Sequence, residues 1–300
     1  MAFDLIGIIG TGNMGFPMAM RLLDLGVKLT VCDTNPQAVA PLVARGAAVA
    51  SSPRDLADKV DVIFASMPSR DTSLEVAFGE QGVVHGHKVK VYVETSTLGS
   101  STMRRIASEI SARNIGFLDA PISGGPPGAR AGTLSILVSG SKNSFEQTRT
   151  ALDMIASKVF YLGDQPGTSQ IVKLINNHVS AAGRLAVLEG LAMGVKAGID
   201  TKTLNDVLNA SSGRNYTTTD KVPAAILSGT YKFNGPLSIG LKDHALLMEE
   251  ARQLGARMWI APRVLETYEE AAAAGYREQD GMRLFIYMQE QSAKLAGEVS

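Results

Sequence analysis

The stretch "LIGIIGTGNMGFPMAMRLLDLGVKLTVCD", residues 5–33, changes its periodicity twice. Residues 5–10 form a short apolar run without alternation, the pattern of a strand covered on both faces. Residues 14–26 carry apolar side chains at helical spacing, and residues 28–33 return to a strand. At the first junction stands "GTGNMG", residues 10–15, a G-x-G-x-x-G. Such a match is weak alone, because 30 of the 300 residues are glycine. Its setting between a strand and a helix gives it meaning: Gly10 permits the tight turn, Gly12 lets a pyrophosphate approach the backbone, and Gly15 allows close helix–strand packing. Asn13 and Met14 complete the loop, and the helix N-terminus beyond offers free N–H groups to phosphate. Asp33 closes the next strand about 20 residues later, where a carboxylate accepts hydrogen bonds from a ribose 2′-OH. It would repel a 2′-phosphate, and Thr34, Asn35 and Pro36 supply no arginine to neutralise one. The segment therefore predicts a dinucleotide site that prefers NAD to NADP.

The same alternation continues outward. Residues 60–67, 89–96 and 115–123, then "TLSILVSG" and "KVFYLG", read as further strands, with helical stretches such as 100–113 between them. After about residue 165 the strand pattern stops and only helical periodicity remains. The expected fold is α/β: a Rossmann-type doubly wound parallel sheet over residues 1–165, then an all-α domain over 166–300. A helical pattern from Thr168 to Ala197, about 45 Å at 1.5 Å per residue, predicts a long helix joining the two.

Composition narrows the function. Lys plus Arg and Asp plus Glu are 29 each, so no global charge attracts nucleic acid or anionic lipid. No apolar run is long enough to span a membrane. The single cysteine, Cys32, excludes an intrachain disulfide, and the chain opens almost at once on a strand. A cytoplasmic location is expected. His85 and His87 form an H-x-H without further ligands, so no metal is expected.

Residues 169–184, "SQIVKLINNHVSAAGR", set Lys173, Asn176 and Asn177 into an apolar run. Flanking Ile171, Val172, Leu174, Ile175 and Val179 predict burial, which is costly for an ammonium. At 100° per residue Asn177 shares the face of Lys173 one turn on, whereas His178 points elsewhere. Desolvation lowers a lysine from its reference pKa of about 10.4, and a value near 7–8 would suit a general base. A second cluster, "DAPISGGPPGARAGT" (119–133), is too rich in Gly and Pro for a helix. Its Ser123, Gly124 and Gly125 could present a hydroxyl and bare N–H groups to a carboxylate.

Four motifs, "GTGNMGFPMAMRLL", "DAPISGGPPGARAGTL", "GTSQIVKLINN" and "FNGPLSIGLKD", occur in the order and spacing of the β-hydroxyacid dehydrogenase family, which this chain resembles over nearly its whole length. The resemblance implies hydride exchange between a nicotinamide and C3 of a small 3-hydroxy acid. By motif, Lys173 corresponds to the catalytic lysine and Asn177 to the substrate-orienting asparagine. Ser123, Gly124 and Gly125 correspond to the substrate-carboxylate loop. Ser96 matches a residue close to nicotinamide and substrate, Lys242 a lysine near the cofactor, and Met67–Pro68 a loop over the dinucleotide. Family members are usually dimers or tetramers, and the apolar "MRLFIYM" near the end of the chain adds to that expectation. Departures are Glu94 for the usual Asp, a missing proline after "ST", and His244 for the leucine after "KD". The alternatives are an imine reductase, which usually replaces this lysine and prefers NADPH, and a non-catalytic dinucleotide-binding relative. The variable substrate wall falls in residues 211–221, where Arg214 or Asn215 would meet a second polar group.

Overall fold

A computed structural model describes residues 5–233 and 235–298. Six strands run parallel: β1 (Leu5–Ile9), β2 (Lys28–Cys32), β3 (Ala48–Val49), β4 (Val62–Ala65), β5 (Val91–Glu94) and β6 (Gly116–Asp119). Their order, β3-β2-β1-β4-β5-β6, reverses beside β1, the switch point at which open α/β sheets bind ligands. β7 (Ile122–Ser123), β8 (Leu134–Gly140) and β9 (Ala156–Tyr161) extend the sheet. β8 runs antiparallel to β6 and β7 and parallel to β9.

The register aligns the strand ends. Cys32 pairs with Ile9, Ile9 with Ala65, Ala65 with Glu94 and Glu94 with Asp119. One row thus crosses five strands, and the residues just after it, Gly10, Asp33, Ser66 and Thr95, all emerge along one edge. Helices α1 (Gly15–Asp24), α2 (Pro36–Val43), α3 (Pro53–Ala57), α4 (Arg70–Phe78), α5 (Ser100–Ser111), α6 (Gly125–Ala131) and α7 (Lys142–Ile155) connect the strands. The sheet's two faces bury separate apolar clusters, one around Ile8, Leu22, Val31 and Phe64, the other around Ile9, Ile63, Tyr92 and Phe117.

Two local expectations change. Residues 115–123 are not one strand: Pro121 has no N–H for a ladder, and the chain breaks between β6 and β7. The Gly/Pro-rich segment is helical over Gly125–Ala131. Pro126 and Pro127 occupy its first turn, where the missing N–H costs nothing and φ is already set. Gly132 closes it in the left-handed region at φ 71°.

Inter-residue contacts divide the chain into Met1–Lys173 and Leu174–Ser300. The division falls inside α8 (Thr168–Lys196), a 29-residue helix about 44 Å long at 1.5 Å per residue. The second unit is helical: α9 (Thr201–Ala210), an underwound π-type helix Thr217–Leu227, α10 (Leu237–Gln253), α11 (Ala261–Ala271) and α12 (Leu284–Glu298). Its core gathers Leu188, Leu191, Val222, Val264, Tyr268, Met282 and Phe285. "MRLFIYM" is therefore consumed by that core. Nor is α8 uniformly buried as its composition suggests: Leu174 is buried, but Ile175 and Val179 are 49% and 66% exposed. They share a helical face with the exposed Ala186 and Met193. No helix among the described residues is long and apolar enough to cross a membrane.

Candidate active site

The glycine loop has the close packing its spacing requires. Gly10 adopts φ 82°, and a Cβ there would strike the Ser66 carbonyl oxygen. A Cβ on Gly15 would overlap the carbonyl oxygen of Gly10. Around Gly12, by contrast, nothing lies within 4 Å of the position a Cβ would take, so its backbone faces open space. A cleft of about 440 Å³ opens there, lined by Thr11, Gly12, Asn13, Phe16, Pro17 and Pro126. α1 begins beside it at Met14 without a side-chain cap or an acidic residue in its first turn. Its N–H groups are left to an incoming anion. Asp33 is braced against the loop: Thr11 donates to Oδ2 through N at 2.6 Å and Oγ1 at 3.0 Å, and Asn35 N donates to Oδ1 at 2.8 Å. Oδ1, which accepts only once, keeps acceptor capacity for a ribose hydroxyl. Beside it, burial pushes the Cys32 thiol up to about 11, which makes it an inert packing residue.

Met67 and Ser96 are joined, with Met67 N donating to Ser96 Oγ at 2.6 Å. Pro68 next to them is exposed. Ser96 N in turn donates to Glu94 Oε1 at 3.1 Å, while Ser73 and Tyr92 hydroxyls hold Oε2 at 2.5 and 3.1 Å. Burial raises the Glu94 carboxyl above its ordinary value, and these donors oppose that shift. The glutamate at this position thus orients the Ser96 backbone from beneath the sheet edge.

Lys173 is buried, 7% exposed, at the end of the first unit. The network at the start of its helix was not foreseen from sequence. Gln170, one turn earlier and fully buried, accepts from Leu98 N at 2.8 Å and Gly99 N at 3.1 Å through Oε1. Its amide donates to Ser96 O at 3.0 Å and to Asp119 Oδ1 at 2.6 Å. Asp119 also accepts from Gly167 N at 3.0 Å and Ser139 Oγ at 3.3 Å, yet burial lifts its carboxyl to about 6. A lone glutamine in an apolar helix and an aspartate ending a buried strand were the available signals. Ser123 ends β7, and Gly124 (φ 126°) and Gly125 (φ 63°) turn the chain into α6 through backbone angles few side chains tolerate.

In the helical unit Asn177 donates through Nδ2 to Asp243 Oδ2 at 2.7 Å, which fixes the amide's orientation. Asp243 was missed although it follows Lys242 in "LKD". Lys242 Nζ lies 3.2 Å from Asp243 Oδ1, a charge contact without hydrogen-bond geometry at that oxygen. His244 is buried and donates through Nδ1 to the Gly240 carbonyl at 3.0 Å, so its Nε2 accepts from His178 at 3.4 Å. Burial depresses both imidazoles, in keeping with a neutral, packed pair. Of the two residues proposed for the substrate wall, Asn215 is spent on its own turn, accepting from Thr217 N and donating to Gly213 O, and Arg214 is exposed. Among the described residues no group of three or more His, Cys, Asp and Glu side chains gathers as a metal would require.

Residues 5–163 match the family model for the NAD binding domain of 6-phosphogluconate dehydrogenase. Residues 167–287 match the one described as NAD-binding of NADP-dependent 3-hydroxyisobutyrate dehydrogenase. The mitochondrial 3-hydroxyisobutyrate dehydrogenase of Rattus norvegicus is 32% identical over 95% of this chain and 87% of its own length. The chain belongs to the β-hydroxyacid dehydrogenase family. It is accordingly an NAD-dependent hydroxyacid dehydrogenase. A second member, 2-(hydroxymethyl)glutarate dehydrogenase of Eubacterium barkeri, is 32% identical over 92% of this chain and 91% of its own. The crystal structure of 3-hydroxyisobutyrate dehydrogenase from Salmonella typhimurium matches with a TM-score of 0.83 at 29% identity, covering 94% of this chain and 99% of that one.

Proposed function

We propose that this β-hydroxyacid dehydrogenase interconverts a small 3-hydroxy acid and its C3 carbonyl counterpart, with Lys173 as the proton carrier and NAD preferred to NADP. The observation that carries the reading is the buried Lys173 on α8, with Asn177 one turn further along the same helical face and braced by Asp243. Bound NAD supplies the hydride acceptor, held by Gly10, Gly12, Asn13, Met14 and Gly15 at the phosphates, by Asp33 at the ribose, and by Met67, Pro68, Ser96 and Lys242 nearer the nicotinamide. Lys173 takes the proton from the substrate hydroxyl in oxidation and returns it to the carbonyl oxygen in reduction. Asn177 hydrogen-bonds the substrate, while Ser123, Gly124 and Gly125 receive its carboxylate. An imine reductase reading is disfavoured by the lysine itself and by Asp33 in a loop without arginine. Among substrates, 3-hydroxyisobutyrate and 2-(hydroxymethyl)glutarate are the first to try, since relatives are named for them.

The same proposal places the dinucleotide in residues 1–165 and the substrate wall and assembly surfaces in 166–300. The exposed apolar face of α8 around Ile175, Val179 and Met193 supports a homodimer or homotetramer. A lone buried thiol suits a cytoplasmic enzyme. The deciding experiment is Lys173→Ala: NADH binding should persist and kcat should fall by roughly 10²–10⁴-fold. Lys173→Arg should not restore turnover, because a guanidinium does not give up its proton. Near-native turnover in the alanine variant would overturn the assignment.

A further inference from the structure

In the helical unit Lys221 and Arg184 lie close enough to repel each other, and the nearby carboxylates offset this only in part. Lys221, on the π-type helix, is half-buried, and its ammonium donates to Ser180 Oγ at 3.2 Å. It also lies 5.2 Å from the centroid of the Tyr216 ring and 6.0 Å from that of Phe233. Arg184 bonds the Tyr268 hydroxyl and lies 5.4 Å above that ring, and its buried Nε has no hydrogen-bond partner among the described residues. The nearby acids also hold other donors. Asp280 accepts from the N–H groups of Phe233 at 2.7 Å, Gly235 at 3.3 Å and Met282 at 2.9 Å, and Asp220 accepts from Thr219 Oγ1 at 2.5 Å. Desolvation and then the charge of Arg184 press the Lys221 ammonium down to about 8, and Asp280 and Asp220 oppose this only in part. Two like charges gathered in a half-buried place are unfavourable until an anion joins them.

Position along α8 says what that anion belongs to. Asn177, Ser180 and Arg184 follow at i, i+3 and i+7, so they share one face. Ser180 lies about 4.5 Å beyond Asn177 along the helix axis, a distance spanned by a short carbon chain. We propose that Lys221, seated on Ser180 and flanked by Arg184, binds a second carboxylate of the substrate, so that the preferred substrates are 3-hydroxy acids carrying a further carboxylate. The inference rests on the dehydrogenase reading, in which Asn177 contacts the reacting end.

The test compares 2-(hydroxymethyl)glutarate with 2-(hydroxymethyl)pentanoate, which differ only in a terminal carboxylate against a methyl group. The native enzyme should favour the diacid in kcat/KM, mainly through KM. Lys221→Met should reduce the diacid-to-monoacid ratio roughly 10- to 100-fold, the worth of a hydrogen bond to a charged group. Lys221→Arg should recover part of it. A native enzyme indifferent to the second carboxylate, or a ratio unchanged by Lys221→Met, overturns the subsite. Should Lys221→Met fail to fold, inhibition of the native enzyme decides: glutarate should compete with the substrate and pentanoate should not, and equal inhibition counts against the proposal. NADH formation from neither compound nor from 3-hydroxyisobutyrate would instead remove the dehydrogenase reading itself.

Discussion

Gln170→Met tests whether the glutamine fixes the start of α8. Methionine keeps the length and apolar bulk of the side chain and removes every hydrogen bond. The native amide makes four, to Leu98 N, Gly99 N, Ser96 O and Asp119 Oδ1, all buried. At about 1 kcal/mol net each, their loss costs roughly 4 kcal/mol, a large share of the 5–15 kcal/mol that holds a typical domain. Asp119 adds a pH signature. Its folded pKa of about 6 lies above the ordinary 3.8, so the folded chain holds an extra proton between those values. Stability is therefore favoured below about pH 4 and lost as pH rises through 6, by about 3 kcal/mol in all. Gln170 is the leading group opposing that rise. Without it the folded pKa climbs further, and the loss extends above pH 6. Urea unfolding followed by circular dichroism should therefore show a larger native-to-variant difference at pH 8 than at pH 5. Lys173 stands three residues further on, so kcat should fall as well. A difference below about 1 kcal/mol at pH 8, or one equal at both pH values, would refute the role assigned to Gln170.

Asp33→Ala should narrow the preference for NAD over NADP in kcat/KM, and it should also loosen the loop, since Thr11 and Asn35 lose their acceptor. A native enzyme that used NADP equally well would contradict the proposal. The diacid-to-monoacid ratio of kcat/KM should decline as pH rises through about 8, where Lys221 of the free enzyme loses its charge among Arg184, Asp280, Asp220 and Tyr216. That decline should be absent in Lys221→Met. Light scattering should report a mass above the 31.7 kDa of one chain at micromolar concentration, and a monomer there would dismiss the assembly proposed for α8.

Much of the first unit was legible because its constraints are local. The glycine loop, the strand before it and Asp33 lie within 29 residues, and Gly10 and Gly15 answer to neighbours the pattern already implies. The row of strand ends follows from parallel pairing of apolar runs. What escaped sequence reading depended on distant partners. Nothing near Gln170 in sequence marks its bonds to residues 96–99 and 119, and Asp243 meets Asn177 from another helix. The Gly/Pro-rich segment was misread because composition was weighed without position: two prolines in a first turn start a helix, whereas the same two in its middle would end one. The burial of "MRLFIYM" and the exposure of Val179 reverse the expectations drawn from hydrophobicity alone. An apolar residue says that it favours cover, not which surface provides it.

On α8, the residues Lys173, Asn177, Ser180 and Arg184 fall within about 60° of one another around the axis, and Ile175, Val179, Ala186 and Met193 cluster roughly 200° away. One rod thus bears two nearly opposite edges, each spelled by its own set of codons. A lineage could replace the residues on one edge, where assembly is proposed, while those on the other, proposed to meet substrate, stay as they are. Acidic substitutions at 175 or 179 and conservative ones at 180 or 184 should therefore be inherited as separate traits, with effects that combine additively.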